Sequence, residues 1–172
     1  MESRFEGAAE VIDQPTFQGT KVFELLSRAF ENARKKYPSE VQESYYVFGG
    51  RPVKFRIVGR ELEGSLLLPF SHLRHTGPIP SIPQLTIDLW DETQTKICCQ
   101  AHIISGDSEW KQITVQSSDQ RFVAQQLPNT LTCLDRTESR IVGSIAWHPW
   151  VFIYERAKPL ARLLLEWQTD QG

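Results

Sequence analysis

"YYVFGGRPVKFRIVG", residues 45–59, packs β-branched and aromatic residues on either side of Gly49-Gly50-Arg51-Pro52. Two such runs around a paired glycine predict two strands joined by a tight hairpin turn at Gly49-Gly50. Val53, Phe55 and Ile57 alternate with Lys54, Arg56 and Val58, so one face of the second strand is expected inward and a basic pair outward. The hairpin leads into Gly59, and Gly59-x-x-x-x-Gly64 followed by Ser65 is one residue type short of the loop that cradles nucleotide phosphates. Such a loop needs a lysine to reach the phosphate charge. Here none is present, and Glu61 and Glu63 would repel a triphosphate. No nucleotide and no other cofactor is expected.

Upstream of the hairpin, Val22, Leu25, Leu26, Ala29, Phe30 and Ala33 recur at the spacing of one helical face, and Glu24/Arg28 and Glu31/Lys35 pair along the other. Pro38 ends this N-terminal helix. Residues 1–16 hold Glu2, Glu6, Glu10, Asp13 and Pro15 with few large apolar groups, which predicts a flexible tail. Downstream, Leu62, Leu66, Leu67, Phe70 and Leu73 predict a middle helix over 61–75, kinked at Pro69, followed by a proline-rich loop, "HTGPIPSIP".

The second half is rich in strands. "QLTIDLWDE" alternates Leu85, Ile87 and Leu89 against Thr86, Asp88 and Trp90, and further strands are predicted at "KICCQAHII", "WKQITVQSS", "RFVAQQL", "TLTCLD" and "RIVGSIAW". The C-terminal stretch "ERAKPLARLLLEWQTDQG" places Pro159 in a first helical turn and Leu160, Leu163, Leu164 and Trp167 on one face. Helices bracketing a run of strands give an α+β domain over 17–172, a mainly antiparallel sheet with N-terminal, middle and C-terminal helices. At 172 residues the chain is long enough to bury roughly two-thirds of its unfolded surface around one core.

A net charge of −2 gives no broad footprint for nucleic acid or an anionic membrane, and no apolar run reaches the ~18 residues of a membrane span. The N-terminus lacks the basic start and apolar middle of a signal peptide, so a cytoplasmic location is expected. Cys98, Cys99 and Cys133 are odd in number and two are adjacent, which predicts reduced, buried thiols rather than a disulfide framework.

Signals for chemistry are sparse. His72 and His75 could share a helical face, but no carboxylate or cysteine stands at metal spacing, and no metal is expected. Asp88 and Asp91 could do paired-carboxylate work only if the strand ended between them, and Asp135-Arg136 predicts a turn closed by a local ion pair. Aromatic residues crowd "AWHPWVFIYER"; if a surface is an interface, it is sought at Trp147, Trp150 and Tyr154 together with Leu160, Leu163, Leu164 and Trp167. That terminal helix either docks on its own sheet or, as a domain link, keeps an apolar face for a second copy, giving a homo-oligomer.

The phrases "YYVFGGRPVKFRIVGREL", "LPFSHLR", "LTIDLWDE", "LTCLDRTESRIVGSIAW" and "YERAKPLARLLLEW", in this order over residues 43–168, resemble the N-terminal region of bacterial proteins related to HPr serine kinase/phosphorylase. In that family the stretch resembling "PLARLLLEW" precedes a histidine-containing strand and the P-loop that carries ATP. This chain stops before both, so none of the family's catalytic residues falls on it. The resemblance implies a non-catalytic accessory or protein-recognition domain, partnered by a P-loop kinase domain in cis or by that kinase's protein substrate. The alternative is an autonomous small-molecule binding domain, with its pocket between the sheet and the 61–75 helix.

Overall fold

The computed structural model describes residues 17–78, 82–99, 113–146 and 157–171. In chain order these form α1 (Gly19–Lys36), β1 (Val41–Phe48), β2 (Arg51–Val58), α2 (Leu62–Leu66), a 3-10 turn (Leu68–Leu73), β3 (Leu85–Asp91), α3 (Glu92–Thr95), β4 (Ile113–Gln116), β5 (Phe122–Leu127), β6 (Thr130–Asp135), β7 (Arg140–Ile145) and α4 (Lys158–Asp170). The predicted tail over 1–16 lies outside the described residues, as do Trp147, Trp150 and Tyr154 and most of the strand expected over 96–104. The first residues of that stretch are not a strand: Lys96 takes a left-handed turn (φ 56°) that closes α3.

The described residues form an α+β fold built on a seven-stranded sheet in the order β1-β2-β3-β7-β6-β5-β4. Four of its pairings are antiparallel, and β2-β3 and β3-β7 are parallel. The parallel core follows from the connections. Gly49 and Gly50, both at positive φ, turn β1 straight back on itself, whereas α2 and the 3-10 turn carry the chain across a face before β3 begins. The kink expected at Pro69 is seen as the break between α2 and the 3-10 turn.

Both faces of the sheet are covered. Val53, Phe55, Ile57, Leu85, Ile87 and Leu89 pack under α2 and α4 with Leu62, Leu66, Leu160 and Leu163. On the opposite face Val58, Trp90, Val142, Cys133 and Ala124 pack under Phe23, Leu26, Phe30 and Ala33 of α1. Lys54 and Arg56 therefore do not face open solvent as the alternation suggests; Arg56 lies beneath α1, its guanidinium 5.4 Å from the centre of the Phe30 ring. A side chain opposite the core is outward only when nothing covers that face, and the alternation alone cannot say whether something does. The cysteines are all thiols, with Cys133 buried, Cys99 half-buried and Cys98 exposed, so burial holds for one of the three. Burial pushes the Cys133 thiol far above its usual range.

α4 docks on its own sheet. Leu160, Leu163, Leu164 and Trp167 are each at most 4% exposed, so they form no open apolar face for a second copy. The helix is held by Thr132 Oγ1 donating to the Pro159 carbonyl (3.1 Å) and by Arg136, which pairs with Glu166 (2.9 Å) and Asp170 (2.8 Å). Among the described residues no helix is long and apolar enough to cross a membrane.

Candidate functional site

Gly59, the first glycine of the near-P-loop, ends β2 at φ 137°, a backbone conformation that side chains rarely adopt. A Cβ there would stand 2.7 Å from Asp91 Cβ. The glycine thus serves the close approach of two strand ends rather than a phosphate. Around it an open cleft of about 450 Å³ is lined by Glu40, Arg60, Glu61, Asp91, Thr93 and Gln94. Most of its polar groups are already engaged with one another. Arg60 forks onto Glu40 (2.8 and 3.1 Å), Gln94 Oε1 accepts from the Arg60 N–H (2.8 Å), and Asp91 Oδ1 accepts from the N–H groups of Thr93 (2.8 Å) and Gln94 (3.1 Å), capping α3. Replacing Gly59 by alanine is expected to cost about 1–3 kcal/mol, from backbone strain and displacement of Asp91. Urea unfolding measures it, and a variant as stable as the parent would show that Asp91 can move aside.

The carboxylates proposed for acid/base work are separated. Asp88 faces α1, whereas Asp91 caps α3 at the strand end. Asp135 does sit at a turn, accepting from the N–H groups of Thr137 and Glu138, but its ion pair is with Arg121 (2.7 Å), while Arg136 turns to α4. His75 bonds the Pro78 carbonyl (2.8 Å), and among the described residues no cluster of His, Cys, Asp and Glu could hold a metal ion. The seam between the sheet and residues 61–75, where the alternative reading places a small-molecule pocket, is tightly packed among the described residues: Leu62, Leu66 and Leu67 are at most 2% exposed and the Phe48 and Phe70 rings meet at 5.3 Å.

What the structure does assemble is a cationic recess on the α1 face. The strand registers align Tyr45, Lys54, Thr86 and Arg140 in one cross-strand row and Glu43, Arg56 and Asp88 in the next. Asp88 is fully buried and is gripped from both sides. Arg56 forks onto it through Nε and Nη2 (both 2.6 Å), and Arg140 approaches its Oδ2 through Nε (2.7 Å) and Nη2 (2.6 Å). α1 roofs the pair: Phe30 lies over the Arg56 guanidinium and Phe23 lies 5.8 Å from that of Arg140. Sharing one carboxylate between two arginines fixes both forks and leaves one positive charge uncompensated.

Thr86 lies half-buried between Lys54 and Arg140, and Lys54 pairs with the more exposed Glu43 (2.9 Å). Three cations against two carboxylates leave the recess positive. Glu31, the other acid whose field reaches Arg56, is itself paired with Arg34 (2.8 Å). The hydrogen bonds to Asp88 raise the Arg56 guanidinium above its usual value, and the bond to Glu43 does the same for the Lys54 ammonium, so both stay charged. Arg56 and Arg140 are each about one-fifth exposed, and among the described residues the Nη1 of neither has a hydrogen-bond partner.

Sequence reasoning noticed Arg56 and Asp88 separately but missed the recess. Arg140 is distant in the chain, and only the β3-β7 pairing brings it beside Thr86. One signal was available: an aspartate in a strand whose same-face neighbour is Trp90, a residue that asks for burial. No family model, no curated protein and no solved structure matches this chain. The resemblance to the HPr serine kinase/phosphorylase family rests on the quoted residues alone.

Proposed function

We propose that this chain is a non-catalytic protein-recognition module, and that the recess around Thr86 is the surface through which it engages its partner. One observation carries the reading: Arg56 and Arg140, gripped by Asp88 and roofed by α1, keep spare guanidinium donors and an excess positive charge on a half-open sheet face, with Lys54 in the neighbouring cross-strand row. Preorganised arginines at a partly desolvated surface are the groups that anchor protein contacts. Asp88, Asp91 and Asp135, by contrast, are committed to capping and pairing.

The resemblance supplies the partners to try, a P-loop kinase domain of the HPr kinase/phosphorylase type and that kinase's protein substrate. In a titration of the isotope-labelled chain followed by nuclear magnetic resonance, one of them is expected to move the amide signals of Lys54, Thr86 and Arg140. ATP turnover by the purified chain alone, abolished by a single substitution that leaves it folded, would overturn the reading.

A further inference from the structure

We infer that the recess takes a side-chain carboxylate from an acidic segment of the partner; this rests on the recognition reading and names its chemistry. In a parallel sheet neighbouring strands stand ~4.8 Å apart, so Lys54 and Arg140, on either side of Thr86, have backbones ~10 Å apart. Long cationic side chains spanning that gap can converge on one group above the Thr86 hydroxyl. The donors for it are the Nη1 groups of Arg56 and Arg140, the threonine hydroxyl and the Lys54 ammonium, which turns to the ligand from its pair with Glu43.

The charge selects the ligand. The recess carries a single excess positive charge, which one carboxylate neutralises. A phosphate dianion would exceed it and would lie beside Asp88, whose buried charge repels it in a medium that screens poorly. On the roof, Phe23, Ser27 and Phe30 share one stripe of α1, and among the described residues the buried Ser27 Oγ has no hydrogen-bond partner.

The occupant is a peptide segment rather than a free acid. The recess is open toward the start of β2 and the neighbouring part of β1, where Pro52 and Tyr45 stay half-exposed, so a single carboxylate would gain little burial and neighbouring residues must add contact.

Hexaglutamate peptide is the probe. Added to the isotope-labelled chain, it is expected to shift the Lys54, Thr86 and Arg140 amides and the Arg56 and Arg140 side-chain Nε signals, with affinity falling as salt rises from about 50 to about 500 mM. Lys54→Glu, whose parent side chain is partly exposed and holds only Glu43 and the Tyr45 ring, should keep the folded spectrum and weaken binding at least about tenfold. Thr86→Val tests the hydroxyl without changing shape, and weaker binding is expected. Shifts centred instead on Arg28, Lys35 or Arg60, or unchanged affinity in both variants, would overturn the inference. So would inorganic phosphate moving the recess signals more than hexaglutamate does. If a protein partner still docks on the recess after such a result, only the carboxylate chemistry falls; if partners dock elsewhere, the recognition reading falls with it.

Discussion

Replacing Leu163 and Trp167 together by alanine is expected to unfold the chain at room temperature or leave it marginal. Both side chains are at most 1% exposed and lie in the cluster that joins α4 to Val123, Leu134, Phe55 and Ile57. Removing a buried leucine costs about 2–5 kcal/mol and a buried tryptophan about 3–5, because the cavity left behind collapses only in part. Domains of this size hold only about 5–15 kcal/mol in total. The tryptophan falls toward the lower end, since among the described residues its buried indole N–H has no partner and that penalty disappears with it. Urea unfolding followed by circular dichroism reads the sum. The outcome that would sink this account is a double variant with the parent's midpoint and a smaller apparent size on gel filtration. That would mean α4 offers this face to a second copy.

The reading of α4 shows which kind of fact a sequence carries. Leucines at 160, 163 and 164 with Trp167 announce that one helical face is covered, and Pro159 announces where the helix begins. Neither says what does the covering. The same holds for β2: period-two alternation gives Val53, Phe55 and Ile57 a common core, but whether Lys54 and Arg56 meet water depends on α1, whose path over the sheet is set by contacts distant in sequence. Local chemistry was legible where it is self-contained, as at the Gly49-Gly50 turn and the break at Pro69. It was misleading where a partner comes from afar: Asp135 passes over its chain neighbour Arg136 and pairs with Arg121 across the β5-β6 hairpin. The recess is the extreme case, since its residues come from four strands and its roof from a helix, and the parallel pairings that align most of them leave no mark of their own in the sequence.

Asp88→Ala is the other large effect expected, a loss of about 3–5 kcal/mol, because deleting one partner of a buried ion cluster strands the rest. The value should fall at the lower end, since Arg56 and Arg140 keep about one-fifth of their side chains in water and can turn partly toward it. α1 should loosen as well, with faster amide exchange from Phe23 to Phe30, since the guanidiniums those rings cover would no longer be held. A second variant separates stability from recognition. Converting the whole cluster to apolar groups of similar size, with Asp88→Leu, Arg56→Met and Arg140→Met together, removes the charges and their desolvation cost at once, and such exchanges are often neutral or stabilising. The triple variant is therefore expected to be at least as stable as the parent yet unable to bind hexaglutamate. A stable triple variant that still binds would place the anion site elsewhere. A cost below about 1 kcal/mol for Asp88→Ala, the range of ordinary surface changes, would mean that the carboxylate holds neither arginine in place.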